Sequence, residues 1–382
     1  MRMLVLGAGL QGSACAFDLL GRPDVDEVRL ADLHVDRIPS FLAPFAGPRL
    51  VPVALDVRDR SAVLAAMAGC QAAMSAIPYY FNLELSELAV EAGVHFSDLG
   101  GNTEIVTAQR GLDQAARARG VSVMPDCGLA PGMVNILAQY GIDQLDEVES
   151  VRIYVGGLPQ HPTPPLNYQV VYSLEGVLDY YTTRSWILRD GQRTQVTALS
   201  EVEAVTFDAP VGDLEAFHTA GGLSTMAFRY EGRVPAMEYK TLRYPGHARL
   251  MEAVRELGFL DLDPVDVKGT SVVPRDLAVA VMGRRLTHPE APDLVALRVI
   301  VRGRRAGAPS TLAWELVDRA DEQRGISAMM RTTGFSLAIT GVMQATGEVT
   351  RTGVCTPDEA MPAAPYIAAL AERGVIIRQV AG

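Results

Sequence analysis

Met3-Leu-Val-Leu-Gly-Ala-Gly-Leu-Gln-Gly-Ser13 leaves the chain little choice of how to begin folding. A short apolar run is followed at once by Gly7, Gly9 and Gly12, and then by helical spacing from Ser13 to Leu20. A strand, a tight turn and a helix are the natural reading. Each glycine has its own physical reason: Gly7 permits the turn, Gly9 lets backbone approach a pyrophosphate, and Gly12 lets helix pack closely on strand. Leu10 and Gln11, between them, would border the same phosphate. The helix N-terminus offers that anion free N–H groups and a partial positive charge.

Twenty positions after Gly12, the apolar run Val28-Arg-Leu-Ala-Asp32 ends in a carboxylate. An acid there accepts the hydroxyls of an adenine ribose and repels a 2′-phosphate, so NAD is the expected cofactor and NADP the less favoured one. Arg37 is the nearby residue that could argue the other way. Strand-like and helix-like segments continue to alternate through residue 130, which predicts a Rossmann doubly wound parallel sheet in an α/β domain. Leu50-Val-Pro-Val-Ala-Leu-Asp56-Val57 reads as the third strand. Asp56 and Val57 either touch the adenine, or Asp56 caps the helix that follows. Gln71 to Ile77 reads as the fourth, stopped by Pro78, with Ser75, Ala76 and Ile77 beside the cofactor. Tyr79 and Tyr80 come next, and Tyr79 is a candidate substrate contact. Asp98 with Gly100, a further candidate cofactor contact, and Asp126 with Pro131 and Gly132, end two further strands. These acids either line a pocket over a nicotinamide or cap helices, with Pro131 suited to a helix's first position.

A chain of 382 residues exceeds the usual single core, so a second domain is expected. From about residue 146 the pattern changes to period two, in Glu149 to Val155, Glu201 to Phe207, Leu294 to Arg302 and Ser310 to Leu316. That alternation predicts a mixed sheet with one face covered by helices, an α+β domain of about 131–324. The net charge of −11 argues against a nucleic-acid partner. No apolar run approaches the length of a membrane span, and the opening strand leaves no room for a signal peptide. Four scattered cysteines suggest buried thiols in a reducing compartment, without disulfide or metal site. A cytoplasmic protein is the expectation.

Six stretches carry a resemblance: the glycine run itself, Asp98-Leu-Gly-Gly-Asn102, Asp126-Cys-Gly-Leu-Ala-Pro-Gly132, Asn167-Tyr-Gln-Val-Val-Tyr-Ser-Leu-Glu-Gly176, Phe217-His-Thr-Ala-Gly-Gly-Leu-Ser224 and Tyr239-Lys-Thr-Leu-Arg-Tyr-Pro-Gly-His247. In them the chain resembles the saccharopine dehydrogenase and reductase family, and within it the L-lysine 6-dehydrogenase type. The resemblance implies nicotinamide-linked oxidation of a carbon–nitrogen bond in a lysine-like amino acid. It also implies a second domain that covers the substrate and makes a homodimer or larger oligomer, and a helix near residues 325–343 that returns to the nucleotide domain, giving that domain residues 1–130 and about 325–382. Tyr172 and Glu175 would face the substrate. Arg243 can hold a carboxylate with two parallel hydrogen bonds, and Lys240 can add charge or serve the chemistry. A base must take the amine's proton, and Asp98, Glu175, His218 and Lys240 are the candidates. The alternatives are a saccharopine or carboxynorspermidine dehydrogenase or reductase using NAD or NADP and, from another class, a non-catalytic NAD-binding sensor.

Overall fold

Apolar residues on both faces of a strand call for a sheet covered on both sides, and Met3, Leu4, Val5 and Leu6 are all fully buried. In the computed structural model, which describes residues 1–381 apart from the side chain of Arg37, they lie in β1 (Arg2–Leu6). Around it run β2 (Glu27–Asp32), β3 (Leu50–Ala54), β4 (Ala72–Ser75), β5 (His95–Asp98) and β6 (Ser122–Met124). With β17 (Gly353–Val354) they form a seven-stranded sheet in the order β17-β6-β5-β4-β1-β2-β3, parallel throughout. The order reverses direction between β1 and β4. Ligands of open α/β sheets bind at such a switch point.

The chain divides into two units. The first comprises residues 1–144, 224–226 and 321–377. The helix Ala328–Thr346 belongs to it because its small residues let it lie against the helix Leu10–Leu20 and the sheet. A Cβ on Gly334 would fall 2.6 Å from Ala14 Cβ, and one on Gly341 2.1 Å from Met74 Sδ. Gln344 Nε2 donates to the carbonyls of Phe96 and Ser122 at 3.0 and 3.2 Å. Arg373 forms a two-pronged ion pair with Asp18. The expected terminal segment of 325–382 is nevertheless too long. Strand β18 (Arg378–Val380) pairs with the second sheet, because its backbone completes an otherwise open edge.

The second unit, residues 145–223, 227–320 and 378–381, holds a nine-stranded mixed sheet. At its centre β7 (Glu147–Pro159) has β15 (Asp293–Arg305) antiparallel on one side and β12 (Ala236–Arg243) parallel on the other. Beyond β15 lies β16 (Ala308–Arg319), and beyond β12 lie β11 (Gly212–His218) and β10 (Glu203–Phe207). The hairpin β8 (Ser185–Arg189) and β9 (Gln192–Val196) joins β12, and a separate hairpin of β13 (Val265–Val267) and β14 (Thr270–Val272) completes the strands. Leu174, Val177, Leu178, Ala248, Met251 and Ala278, from three helices, pack with Phe217 on one face. The adjacent Ala216 turns the other way, to Leu214, Leu242, Val205 and Phe207. Successive side chains of a strand alternate between faces. On β12 this sends Lys240 with Leu242 and Arg243 with Tyr239.

Candidate functional site

The turn after β1 is shaped by what its glycines exclude. Gly7 has φ +97°, and a Cβ there would meet Ile77 Cγ2 at 2.8 Å. A Cβ on Gly12 would meet Gly7 O at 1.9 Å. Gly9 differs, for a Cβ on it would meet nothing within 4 Å. The helix Leu10–Leu20 starts from Gly9 without a capping side chain and without an acid in its first turn. Both polar atoms of the Gln11 amide are buried without a hydrogen-bond partner, and Leu10 is half exposed. Free N–H groups, an open space and an orphaned amide fit a dinucleotide pyrophosphate.

The neighbouring expectations divide. Asp32 ends β2 and its carboxylate accepts from Ala8 N–H at 2.7 Å and from His34 N–H at 2.9 Å, so it is tied to the glycine turn. Ala76 and Ile77 border Gly7. Ser75 is fully buried, and its Oγ donates to Asn82 Oδ1 at 2.8 Å. Asp56 is held by Arg58, which pulls its carboxyl down to about 2, and Asp59 rather than Asp56 caps the next helix. Val57 packs against the core. Tyr79 is half-buried with its ring 5.8 Å from that of Tyr80.

Neither Asp98 nor Asp126 caps a helix. Asn102 and Gly132 hold those positions, and the helix after Pro131 starts at Met133. The two acids share a buried polar knot in the first unit. Asp98 Oδ1 accepts from Gly100 N–H at 2.7 Å, and its Oδ2 from Gln109 Nε2 at 2.7 Å. Asp126 accepts from Gly101 N–H and from Ser224 Oγ. Gly100 has φ +60°, and a Cβ there would fall 1.7 Å from Asp126 Oδ1. Burial raises Asp98 to about 6 and Asp126 to about 7. Such acids exchange protons near neutrality.

In the second unit, Arg243 is almost wholly buried and no carboxylate forms an ion pair with it among the described residues. Its guanidinium lies over the Tyr168 ring, 4.7 Å from the centroid, and its Nε donates to Tyr181 Oη at 3.2 Å. Tyr181 Oη lies 2.9 Å from His247 Nε2, and His247 Nδ1 lies 3.1 Å from Leu166 O. These partners assign the proton to Nδ1 and leave Nε2 to accept from the tyrosine. Burial, and then the Arg243 charge, push His247 down to about 3, so the imidazole is neutral. Tyr168 Oη is buried without a partner, and Tyr172 packs beside it. A buried guanidinium without an anion, next to an orphaned hydroxyl, has the chemistry to receive a carboxylate.

The other candidates of this unit do not join it. Lys240 and Arg243 were expected together, but three residues apart on one strand puts them on opposite faces. Lys240 Nζ donates to Glu203 Oε1 and to Glu201 O, both at 2.8 Å. His218 stands opposite Lys240 in the β11–β12 register, on that same face. Glu175 is exposed in the first turn of the helix Leu174–Thr182, capped by Ser173. Sequence reasoning gave no role to Tyr168 and Ser224, although both lie within the quoted motifs, and passed over Tyr181 and Gln109, which carry no local signal. It also passed over the convergence of Glu201, His218 and Glu238, which come from three separate segments.

The Saccharopine dehydrogenase NADP binding domain matches residues 3–124, and the Saccharopine dehydrogenase C-terminal domain matches residues 128–375. The chain belongs to the saccharopine dehydrogenase family. A saccharopine dehydrogenase [NADP(+), L-glutamate-forming] of Pyricularia oryzae is 27% identical over 218 residues, 55% of this chain and 48% of that protein. The chain thus spans about half the length of that relative. Carboxyaminopropylagmatine dehydrogenase of Synechocystis is 23% identical over 98% of this chain and 96% of its own. The apo saccharopine dehydrogenase structure from Saccharomyces cerevisiae shares the fold, with a TM-score of 0.80 at 21% identity over the whole of both chains. Homospermidine synthase of Legionella pneumophila, solved with NAD, also shares it, with a TM-score of 0.68 at 11% identity over all of this chain and 91% of that one. Among the described residues no helix is long and apolar enough to cross a membrane.

Proposed function

We propose that this protein is a nicotinamide-dependent dehydrogenase of a secondary amine that carries a carboxylate, of the saccharopine or carboxyaminopropylagmatine kind. Arg243, buried without an anion beside the orphaned Tyr168 hydroxyl, carries the reading. The family's relatives include dehydrogenases named for such amines, which support this reading over the narrower oxidation of lysine. Bound nicotinamide supplies the hydride acceptor. The chain's own part is to hold the substrate carboxylate on Arg243, to keep the tyrosines in register through neutral His247, and to take up the amine's proton. Of the four candidate bases, Glu175 is exposed and His218 and Lys240 lie on the face opposite Arg243, while Asp98 is a buried acid of the first unit whose carboxyl burial raises to about 6. In the oxidative direction the C–N bond loses a hydride and a proton to become an imine, which water cleaves to an amine and a carbonyl.

Cofactor choice is where relatives and residues diverge. The names of the relatives and of the matching domain point to NADP, whereas the Asp32 carboxylate, fixed by Ala8 and His34 at the end of β2, opposes a 2′-phosphate. We assign NAD to this chain. A second copy is part of the proposal too, and exposed Leu257, Phe259 and Leu262 in the second unit support it. Light scattering checks it.

The test is to follow NADH or NADPH formation with saccharopine, carboxyaminopropylagmatine and L-lysine in turn. Turnover of a carboxylated secondary amine with NAD is expected. Turnover of lysine alone would move the assignment to a primary amine, and silence with all three would reject it. Asp32→Ala should lower the ratio of NAD to NADP efficiency about tenfold or more, and an unchanged ratio would remove Asp32 from the ribose.

A further inference from the structure

On the face of the second sheet opposite Arg243, three side chains from separate segments aim at one point. His218 Nε2 lies 3.3 Å from Glu201 Oε2 and 3.9 Å from Glu238 Oε2, and the three donor atoms all fall within 4.8 Å of one another. His218 has no exposed surface, and its Nδ1 lies 3.3 Å from the Tyr239 carbonyl. A proton on Nδ1 serves that carbonyl and leaves the Nε2 lone pair facing two carboxylates. Three electron-rich atoms converging in this way repel one another unless a cation stands between them.

We propose that Glu201, His218 and Glu238 form a binding site for one divalent transition-metal ion, independent of the amine chemistry proposed above. At metal–ligand lengths of about 2.0–2.2 Å, tetrahedral neighbours stand about 3.3–3.6 Å apart. The 3.3 and 3.9 Å separations need only a small closure to reach this. The outer contacts have the arrangement that metal ligands keep, with the second imidazole nitrogen on a backbone carbonyl and the carboxylates oriented by other groups. Arg152 Nε holds Glu238 through Oε1 at 3.2 Å, which leaves Oε2 for the ion. Arg189 Nη2 holds Glu201 at 2.9 Å from both oxygens. Lys240, the remaining cation nearby, is taken by Glu203 and does not fill the point.

One imidazole and two carboxylates suit zinc, cobalt or manganese better than calcium, and three protein ligands leave a position for water. The bound ion fastens the segment before β10 to β11 and β12. The competing account is an imidazole that donates its Nε2 proton to Glu201, which binds no metal.

The full chain, stripped with a chelator, is titrated with Co²⁺ and followed by visible absorption. One Co²⁺ per chain is expected, with ligand-field bands that Zn²⁺ abolishes by displacement, and Zn²⁺ raises the melting temperature. Glu238→Gln weakens Co²⁺ binding at least tenfold, and Glu201→Gln with Glu238→Gln removes the bands, while circular dichroism shows the fold retained. These carboxylates are less buried than His218, so their variants avoid disturbing the core. Absence of bands in the natural chain, or bands undiminished in the double variant, overturns the proposal.

Discussion

Lys240 and Arg243 stand on one strand, both almost wholly buried, 4% and 3% exposed, yet in opposite company. On the Lys240 face Lys240 pairs with Glu203, Arg152 with Glu238 and Arg189 with Glu201. On the Arg243 face the neighbours are tyrosines and a neutral imidazole. Taking a charge out of water costs several kcal/mol, and only partners return it. One face returns that cost from within the chain. The other offers the guanidinium only neutral partners, with the Tyr168 ring offsetting a part through its electron-rich surface.

The largest test of this contrast sets activity against stability. Arg243→Gln should lower kcat/KM for a carboxylated secondary amine about hundredfold or more, the loss of a buried charge-assisted pair, with a much smaller fall in stability, since hydrogen bonds to Tyr181 and Leu242 are lost but no internal ion pair is. Lys240→Met should keep activity within about tenfold. Steady-state rates with NAD and thermal melts of both variants decide it. A larger catalytic loss from Lys240→Met would reverse the roles of the two faces.

How much of this lies open in the sequence depends on how local its cause is. The turn at Gly7, Gly9 and Gly12 is legible because each glycine answers a backbone constraint within a few residues, and Asp32 because it ends the adjacent strand. The opposition of Lys240 and Arg243 was legible too, since an odd spacing on a strand divides the faces. It was lost by treating their motif as one unit. The partner of the Ser75 hydroxyl was not legible, because Asn82 on the following helix decides it. Asp126 meets Ser224 only after ninety-eight residues of chain, and Tyr168 meets Arg243 across seventy-five. No local pattern announces such partners.

The same distinction holds within the first unit, where Asp98 and Asp126 are buried acids with no ion-paired cation among the described residues. Their folded pKa values, about 6 and about 7, stand above the ordinary carboxyl value. The stability tied to their neutral forms is therefore present at acid pH and lost as pH rises through those values, on the order of 3 kcal/mol for Asp98 and on the order of 4 kcal/mol for Asp126. Urea unfolding should show the chain less stable at pH 8 than at pH 5, with Asp126→Asn flattening the difference. Exposed pairs such as Asp56 with Arg58 do not disturb this window, because Asp56 titrates near 2. A natural chain equally stable at both values would mean that a cation reaches these acids.

Lys240→Met tests the paired face by itself. It leaves Glu203 without its ammonium, but that carboxylate is about a third exposed, so water takes over most of the interaction and the loss should be only about 1 kcal/mol. Added salt should narrow the difference between the two chains, since it screens the pair in the natural one. A loss of several kcal/mol would show that the Lys240 face depends on this pair as a buried charge network.

The smallest effect belongs to Glu175, which the family resemblance turned toward a substrate and the structure leaves in solvent. In the first turn of the helix Leu174–Thr182 its carboxylate meets the positive end of the helix dipole, while Ser173 supplies the cap. Glu175→Gln should therefore cost a few tenths of a kcal/mol, less at high salt, and leave kcat/KM within about twofold. The measurement separates a helix-terminal charge from a catalytic one, because only the second changes the rate without regard to helix stability. A tenfold fall in kcat with an unchanged melt would give Glu175 a ligand-facing role, and the unpaired Arg243 would no longer be the sole charged anchor on its unit.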